Sequence, residues 1–199
     1  DGILIGEFGE IKRRSITYTE IPENIKNAFL AAEDDNFFNH QGISYAGLIR
    51  SFIRCLRPSG CEGGGGTITM QVVRGYLLTR EQTVIRKIKE IFLALELEGN
   101  LEKEEIFELY VNRIFLGNRS YGIEAAANTY FDKNIKELSI SESATIAALA
   151  QLPSRVNPVK DPRRTKLRRN WILSRMLLLG YIDQIPVSYT HLTLPTKSS

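Results

Sequence analysis

The sequence predicts a mainly α-helical domain with a short β element at its N-terminus. Two observations carry this. Apolar residues recur at i, i+3, i+4 and i+7 through most of the chain after Pro22, and helix punctuation falls at the borders of those runs. Residues 1–19 differ: Ile3, Ile5, Ile11, Ile16 and Thr17 sit in an alternating, β-branched pattern broken by Gly6 and Gly9, which predicts a short hairpin or extended arm.

The elements follow in order. Pro22 suits the first turn of a helix that runs to about Asp34, with Ile25, Phe29 and Ala32 on one face and Glu33 at its end. A second helix is predicted over 44–56, with Tyr45, Leu48, Ile49, Phe52, Ile53 and Leu56 on one stripe and Arg50, Arg54 and Arg57 off it. It reads either as a core helix with a basic edge or as an amphipathic helix lying at a lipid interface. Residues 58–66 then break all periodicity, ending in Gly63-Gly64-Gly65-Gly66, a loop that is mobile or lets backbone approach a ligand. Order resumes at once with Thr67-Ile68-Thr69-Met70-Gln71. The strongest helix spans 83–98, with Val84, Ile88, Ile91 and Leu95 as its apolar stripe and Arg86, Lys87, Lys89 and Glu90 on the polar side. Another starts at Leu101 and ends before Gly117. A small-residue helix covers Ala125 to Phe131, Ser139 and Glu142 have the spacing of a capping box, and a helix containing Arg168 to Leu173 closes at Gly180.

A chain of 199 residues suits one domain with a real core, and 43% hydrophobic and 25% charged residues are ordinary for a folded domain. The net charge of +3 is small but uneven: Lys160, Arg163, Arg164, Lys166, Arg168, Arg169 and Arg175 face only Asp161. That cluster suits phosphate, pyrophosphate or an anionic membrane surface, or else is a solvated helix face. Cys55 and Cys61 could bridge across a short loop in an oxidising compartment, and no His cluster accompanies them to suggest zinc. No apolar run approaches the roughly 18 residues that span a bilayer. The chain opens at Asp1 without Met or signal peptide and reads as a fragment whose targeting segment lies upstream.

The chemistry centres on Glu33-Asp34-Asp35-Asn36-Phe37-Phe38-Asn39-His40-Gln41-Gly42. Packed like charges beside an apolar surface, at the negative end of a helix, raise a carboxyl's pKa toward what a general base near neutral pH needs. The plain alternative is an acidic helix C-terminus running into a solvated turn.

The ordered string resembles E-D-x-x-F-x-x-H-x-G, the first signature of the peptidoglycan transglycosylases: the glycosyltransferase domains of class A penicillin-binding proteins and their monofunctional relatives. Gly66-Thr67-Ile68-Thr69-Met70-Gln71 resembles the second, G-x-S-T-I-T-Q-Q, with Gly66 at the Ser position and Met70 at the first Gln. Arg86-Lys87-Ile88-Lys89-Glu90 matches the third, R-K-x-x-E. Residues 104–112 resemble the fourth, I-L-E-x-Y-L-N, and Arg168-Arg169-Asn170-Trp171-Ile172-Leu173 the fifth, R-R-x-x-V-L. Arg74 falls where the family carries a cation for pyrophosphate. A second cation is missing near Gln82, where Arg80 is a candidate substitute.

The resemblance covers residues 1–182; residues 183–199 form a non-family tail, expected to be disordered or to derive from vector sequence. It implies a mainly α, lysozyme-like fold with a large lobe and a smaller membrane-facing jaw around one cleft. It implies polymerisation of lipid II into glycan strands, with inversion and loss of undecaprenyl pyrophosphate. Glu33 would be the base and Glu90 the second catalytic carboxylate. Asp34, His40, Thr67, Thr69, Gln71, Arg74, Arg86 and Lys87 would serve substrate binding. The metal question stays open: a divalent ion (Mg or Mn) is allowed as an accessory, and no organic cofactor is implied. The implied partners are lipid II, the nascent glycan, the membrane surface, and a transpeptidase domain or other cell-wall synthesis proteins, with no nucleic acid. The implied location is the outer face of the bacterial cell membrane, held by an N-terminal anchor. Two rivals stay open: a lysozyme-like hydrolase, which would not need the Arg/Lys array, and a weakened glycan-binding domain, suggested by Gly66 and Gln82.

Overall fold

Helix signals in the sequence become helix ends in the structure, a computed structural model that describes residues 15–45, 47, 49, 66–78, 84–151, 153 and 156–184. Residues 1–14 of the predicted N-terminal β arm, most of the helix over 44–56, both cysteines, Arg80, Gln82 and the Ser/Thr-rich tail lie outside the described residues; the rest of the arm is no strand, because Tyr18–Glu20 winds into a single 3-10 turn closed by the Thr17 and Glu20 capping bonds. Seven α-helices are seen among the described residues: α1 (Glu23–Glu33), α2 (Ile68–Tyr76), α3 (Val84–Asn100), α4 (Lys103–Arg113), α5 (Ile123–Phe131), α6 (Ile140–Leu149) and α7 (Pro162–Leu178). No strand occurs among them beyond one antiparallel bridge, Phe115 to Tyr121.

Pro22 sits at the N-cap of α1, one position ahead of the first turn, where its missing N–H costs nothing. The helix buries Ile25, Ala28, Phe29 and Leu30 and stops at Glu33, because Asp34 leaves helical geometry at φ −160° and ψ 82°. Ser139 caps α6 as its spacing predicts: its hydroxyl accepts from the Glu142 N–H (3.3 Å), and Glu142 accepts in return from the Ser139 N–H (2.8 Å). Asp161 caps α7 ahead of Pro162, and Gly180 at φ +72° lets the Tyr181 N–H reach the Met176 carbonyl (2.8 Å) to close it.

The helices α1, α6 and α7 pack on one another, and α2 packs between α3 and α4. A main apolar core holds Phe29, Phe37, Phe107 and Ile172; Met70, Val73 and Ala94 form a separate small cluster between α2 and α3. Each buried ring in the main core stabilises by about 1.5–3 kcal/mol. Asn112 ties the N-terminal segment down, donating to the Ile16 carbonyl (2.8 Å) and accepting from its N–H (3.0 Å).

One face differs from the simplest expectation. Of the predicted α3 stripe, Ile88 (50% exposed) and Leu95 (39%) face outward, with Ile85 (67%) and Phe92 (67%) beside them, while Ile91 packs half-buried against the Met70, Val73 and Ala94 cluster; Glu90 and Ala94 are fully buried. Tyr45 and Ile49, the described positions of the predicted second stripe, are exposed too.

Candidate active site

The end of α1 delivers Glu33 half-buried. The amide of Gln71, on α2, donates to its Oε2 at 3.0 Å. Burial is the main influence on this carboxyl and raises its pKa; the Gln71 bond and the positive charge of Arg168 pull the other way, and the charge of Asp34 adds to the rise. Crowded acids contribute, but desolvation dominates.

Asp34 does different work. Its carboxylate is buried, accepts from the Ile68 N–H (3.1 Å) at the positive end of α2, and meets His40 Nε2 at 2.8 Å. It therefore pins the end of α1 to the start of α2. The His40 carbonyl accepts from Lys103 Nζ (2.6 Å), whose ammonium also lies 4.6 Å from the buried Phe37 ring. Gly42 closes the motif at φ +78°, where a Cβ would stand 2.8 Å from the Ala94 carbonyl of α3. Only glycine fits there.

The two threonines face inward. The Thr67 hydroxyl donates to the Gly42 carbonyl (2.6 Å) and accepts from the Met70 N–H (3.2 Å), capping α2. Thr69 donates to Glu98, which Lys103 also holds (2.7 Å). Both hydroxyls join the second motif to the first and to α3.

The second centre surrounds Glu90, whose carboxylate is fully buried. Arg74 (2.8 Å) and Lys87 (3.1 Å) donate to its Oε1, and Arg86 (3.3 Å) to its Oε2. Three cations surround one anion, so the array carries excess positive charge, and the side chains of Arg74 (41% exposed) and Lys87 (37%) open to solvent. A Cβ on Gly66 would meet Arg74 Nη2 at 3.1 Å and Glu90 Oε1 at 3.9 Å, so the hydroxyl missing at that position belongs beside this pair. The donors do not fit a protein-held divalent ion. Both Glu90 oxygens are engaged by cations, and no group of three or more His, Cys, Asp or Glu stands together among the described residues.

The structure brings the two centres together through α2. Gln71, which holds Glu33, and Arg74, which holds Glu90, are three residues apart on one helix face. A cavity of about 470 Å³ continues along that face, lined by Tyr110, Arg113, Phe115 and Tyr121. Sequence reasoning missed Tyr110 as a site residue. Its buried hydroxyl has no hydrogen-bond partner, and the charges of Glu33 and Asp34, after burial, push its pKa well up. The sequence reads Arg168 as part of a basic cluster and of the fifth motif but does not tie it to Glu33; in the structure it reaches the end of α1 from α7.

A helical domain in which one helix contacts both a half-buried carboxyl and, one turn further on, a cation-wrapped second carboxylate has the layout of a group-transfer enzyme with an anionic leaving group. The family model described as Transglycosylase matches residues 1–177, and the chain belongs to that family. It is 54% identical to penicillin-binding protein 1A of Pseudomonas aeruginosa over 184 residues, covering 92% of this chain and 22% of that protein. Against penicillin-binding protein 1A of Escherichia coli the identity is 45%, with the same coverage of 92% and 22%. The crystal structure of penicillin-binding protein 1A from Haemophilus influenzae superposes with a TM-score of 0.52 at 31% identity, over 93% of this chain and 18% of that one. The chain thus spans about a fifth of the length of the curated relatives it matches.

Proposed function

We propose that this domain is a peptidoglycan glycosyltransferase that polymerises lipid II. Glu33 takes the proton from the 4-hydroxyl of the acceptor N-acetylglucosamine. That oxygen attacks the anomeric carbon of the donor N-acetylmuramic acid, from the face opposite the undecaprenyl pyrophosphate, and the configuration inverts in one displacement. The departing pyrophosphate is neutralised by Arg74, Arg86 and Lys87, which Glu90 holds in place. The observation that carries this reading is the contrast between two carboxyls whose partners, Gln71 and Arg74, sit one turn apart on α2: one has its proton affinity raised by burial, the other is enclosed by cations. A hydrolase of lysozyme type would leave that cation array without a task, and a binding domain without catalysis would leave Glu33 without one.

The finer architecture belongs to the same proposal. The separate cluster of Met70, Val73 and Ala94 supports a smaller jaw beside the main lobe. The outward Ile85, Ile88 and Phe92, next to Lys87 and Lys89 on α3, suit a surface resting on lipid, which would present the lipid carrier to the cation array. No described helix is long and apolar enough to cross a membrane. We place the domain at the outer face of the cell membrane, working beside the penicillin-binding unit that its relatives' names record.

The test is incubation with labelled lipid II in detergent, with Glu33→Gln alongside, and digestion of the products by a muramidase. A digestible glycan ladder that the variant fails to make is expected. Shortening of preformed glycan, or an unchanged ladder from the variant, would overturn the assignment.

A further inference from the structure

The end of α1 leaves carbonyls without helical partners, at the pole where a negative side chain is least welcome. Glu33 sits there. From α7, Arg168 Nη2 donates to the carbonyl of Ala32, the residue before Glu33, at 3.3 Å across 136 positions of sequence. Its guanidinium lies 4.0 Å from the centre of the Trp171 ring, and Arg175 approaches the same ring at 6.0 Å. The two arginines differ in one respect. Arg175 is paired with Asp35, whereas Arg168 makes no ion pair among the described residues; the Nε of each is buried without a hydrogen-bond partner.

We propose that Arg168 is a positioning residue for the reaction: stacked on Trp171 and bonded to the Ala32 carbonyl, it fixes the last turn of α1 and holds an unpaired positive charge beside Glu33, so that the carboxyl meets its substrate in the charged form. This rests on Glu33 being the base. The other groups around that carboxyl do not supply this charge. On α1 and the turn after it, Asp34 is tied to His40 and Asp35 to Arg175. On α2, Gln71 is neutral and Arg74 is tied to Glu90. On α4, Tyr110 has its hydroxyl held protonated by burial. On α6 the ionisable residue is Glu142, tied to Lys133 and to the Ser139 cap. Burial of Arg168 lowers its pKa and Glu33 raises it, so the coupling acts on both groups.

The experiment follows the Glu33 carboxyl directly. Protein labelled with ¹³C-carboxyl glutamate is titrated by NMR as parent, Arg168→Gln, Arg168→Lys and Trp171→Leu, with Glu33 assigned by the resonance lost in Glu33→Gln. Lipid II polymerisation is measured across pH on the same proteins. Arg168→Gln is expected to move the Glu33 midpoint to higher pH, and its loss of rate should grow as pH falls and shrink as pH rises. Arg168→Lys should keep most of the parent behaviour. Trp171→Leu, which removes the exposed platform and leaves the charge, should move the midpoint the same way by less, and it carries the test if Arg168→Gln does not fold. A Glu33 midpoint unmoved in the folded variants, or a rate loss equal at every pH, overturns the proposal for Arg168. Polymerisation by Glu33→Gln overturns the role of Glu33 instead, so the two failures are distinguishable.

Discussion

Replacing Glu90 by Gln separates the two tasks of the cation array. The carboxylate is fully buried, and it accepts from Arg74 at 2.8 Å, Lys87 at 3.1 Å and Arg86 at 3.3 Å. Gln keeps the shape and one acceptor oxygen but turns an amide donor toward guanidinium donors. Breaking a buried pair by removing one partner costs about 3–5 kcal/mol when the charge left behind is also buried. Here Arg74 and Lys87 are 41% and 37% exposed and can turn to water, so their share falls to the surface range; Arg86, at 19%, is the most enclosed of the three. A loss of about 2–3 kcal/mol is therefore expected for Glu90→Gln, between the surface-pair and buried-pair ranges. Urea unfolding followed by circular dichroism gives the stability. Polymerisation rates at saturating lipid II, for a variant kept folded at low temperature, give the catalytic effect. Added salt should recover part of the lost stability, because like-charge repulsion between the remaining cations is screened. Stability within about 0.5 kcal/mol of the parent and indifferent to salt, the outcome of an ordinary surface substitution, would refute the picture of one anion holding three cations.

Three further outcomes are expected. Because burial raises the Glu33 pKa, the folded state binds that proton more tightly than the unfolded chain. Stability from this group is then full below the ordinary carboxylate value of 4.5 and is lost as pH rises through the raised one. Glu33→Gln should therefore raise the melting temperature at neutral pH while abolishing polymerisation, with the stability gain fading in acid; a variant less stable at neutral pH would contradict this. Tyr110→Phe removes a buried hydroxyl that lacks a partner and should stabilise by about 1 kcal/mol in urea unfolding, whereas a loss of that size would mean the hydroxyl is satisfied. Gly42→Ala forces a side chain to φ +78° and to 2.8 Å from the Ala94 carbonyl, and should destabilise by about 1–3 kcal/mol or more; near-parent stability would show that the turn can move.

Much of this was legible in the sequence because it is local. The end of α1 at Glu33, the Ser139–Glu142 box and the Gly180 closure follow from residues within one or two turns of each other. What stayed hidden lies in contacts that cross the chain. Periodicity finds the apolar stripe of α3 but not which side meets the core, and here the charged side buries Glu90 because Arg74 arrives from another helix. The Arg168 bond to Ala32 and the Asn112 clasp on Ile16 leave no local pattern. Thr67 and Thr69 read as ligand-facing from their motif, yet their hydroxyls are taken by Gly42 and Glu98, partners that only the packed fold supplies.

The arrangement around α2 explains why the second motif is helical where the glycine run before it suggests a loop. The proposed inverting displacement needs the acceptor's proton removed on one side of a carbon while negative charge is received on the other. Those two sites want opposite surroundings: a base made more basic by lost water, and an anion pocket with surplus positive charge. Held on separate loops they would drift relative to one another. Gln71 and Arg74, about 4.5 Å apart along the axis of one rigid turn, each hold one of them, with the Thr67 cap and the Asp34 carboxylate anchoring that turn at its start. The spacing between the two groups that touch the centres is thus set by the backbone hydrogen bonds of α2, and a substitution that disturbs that turn acts on both at once.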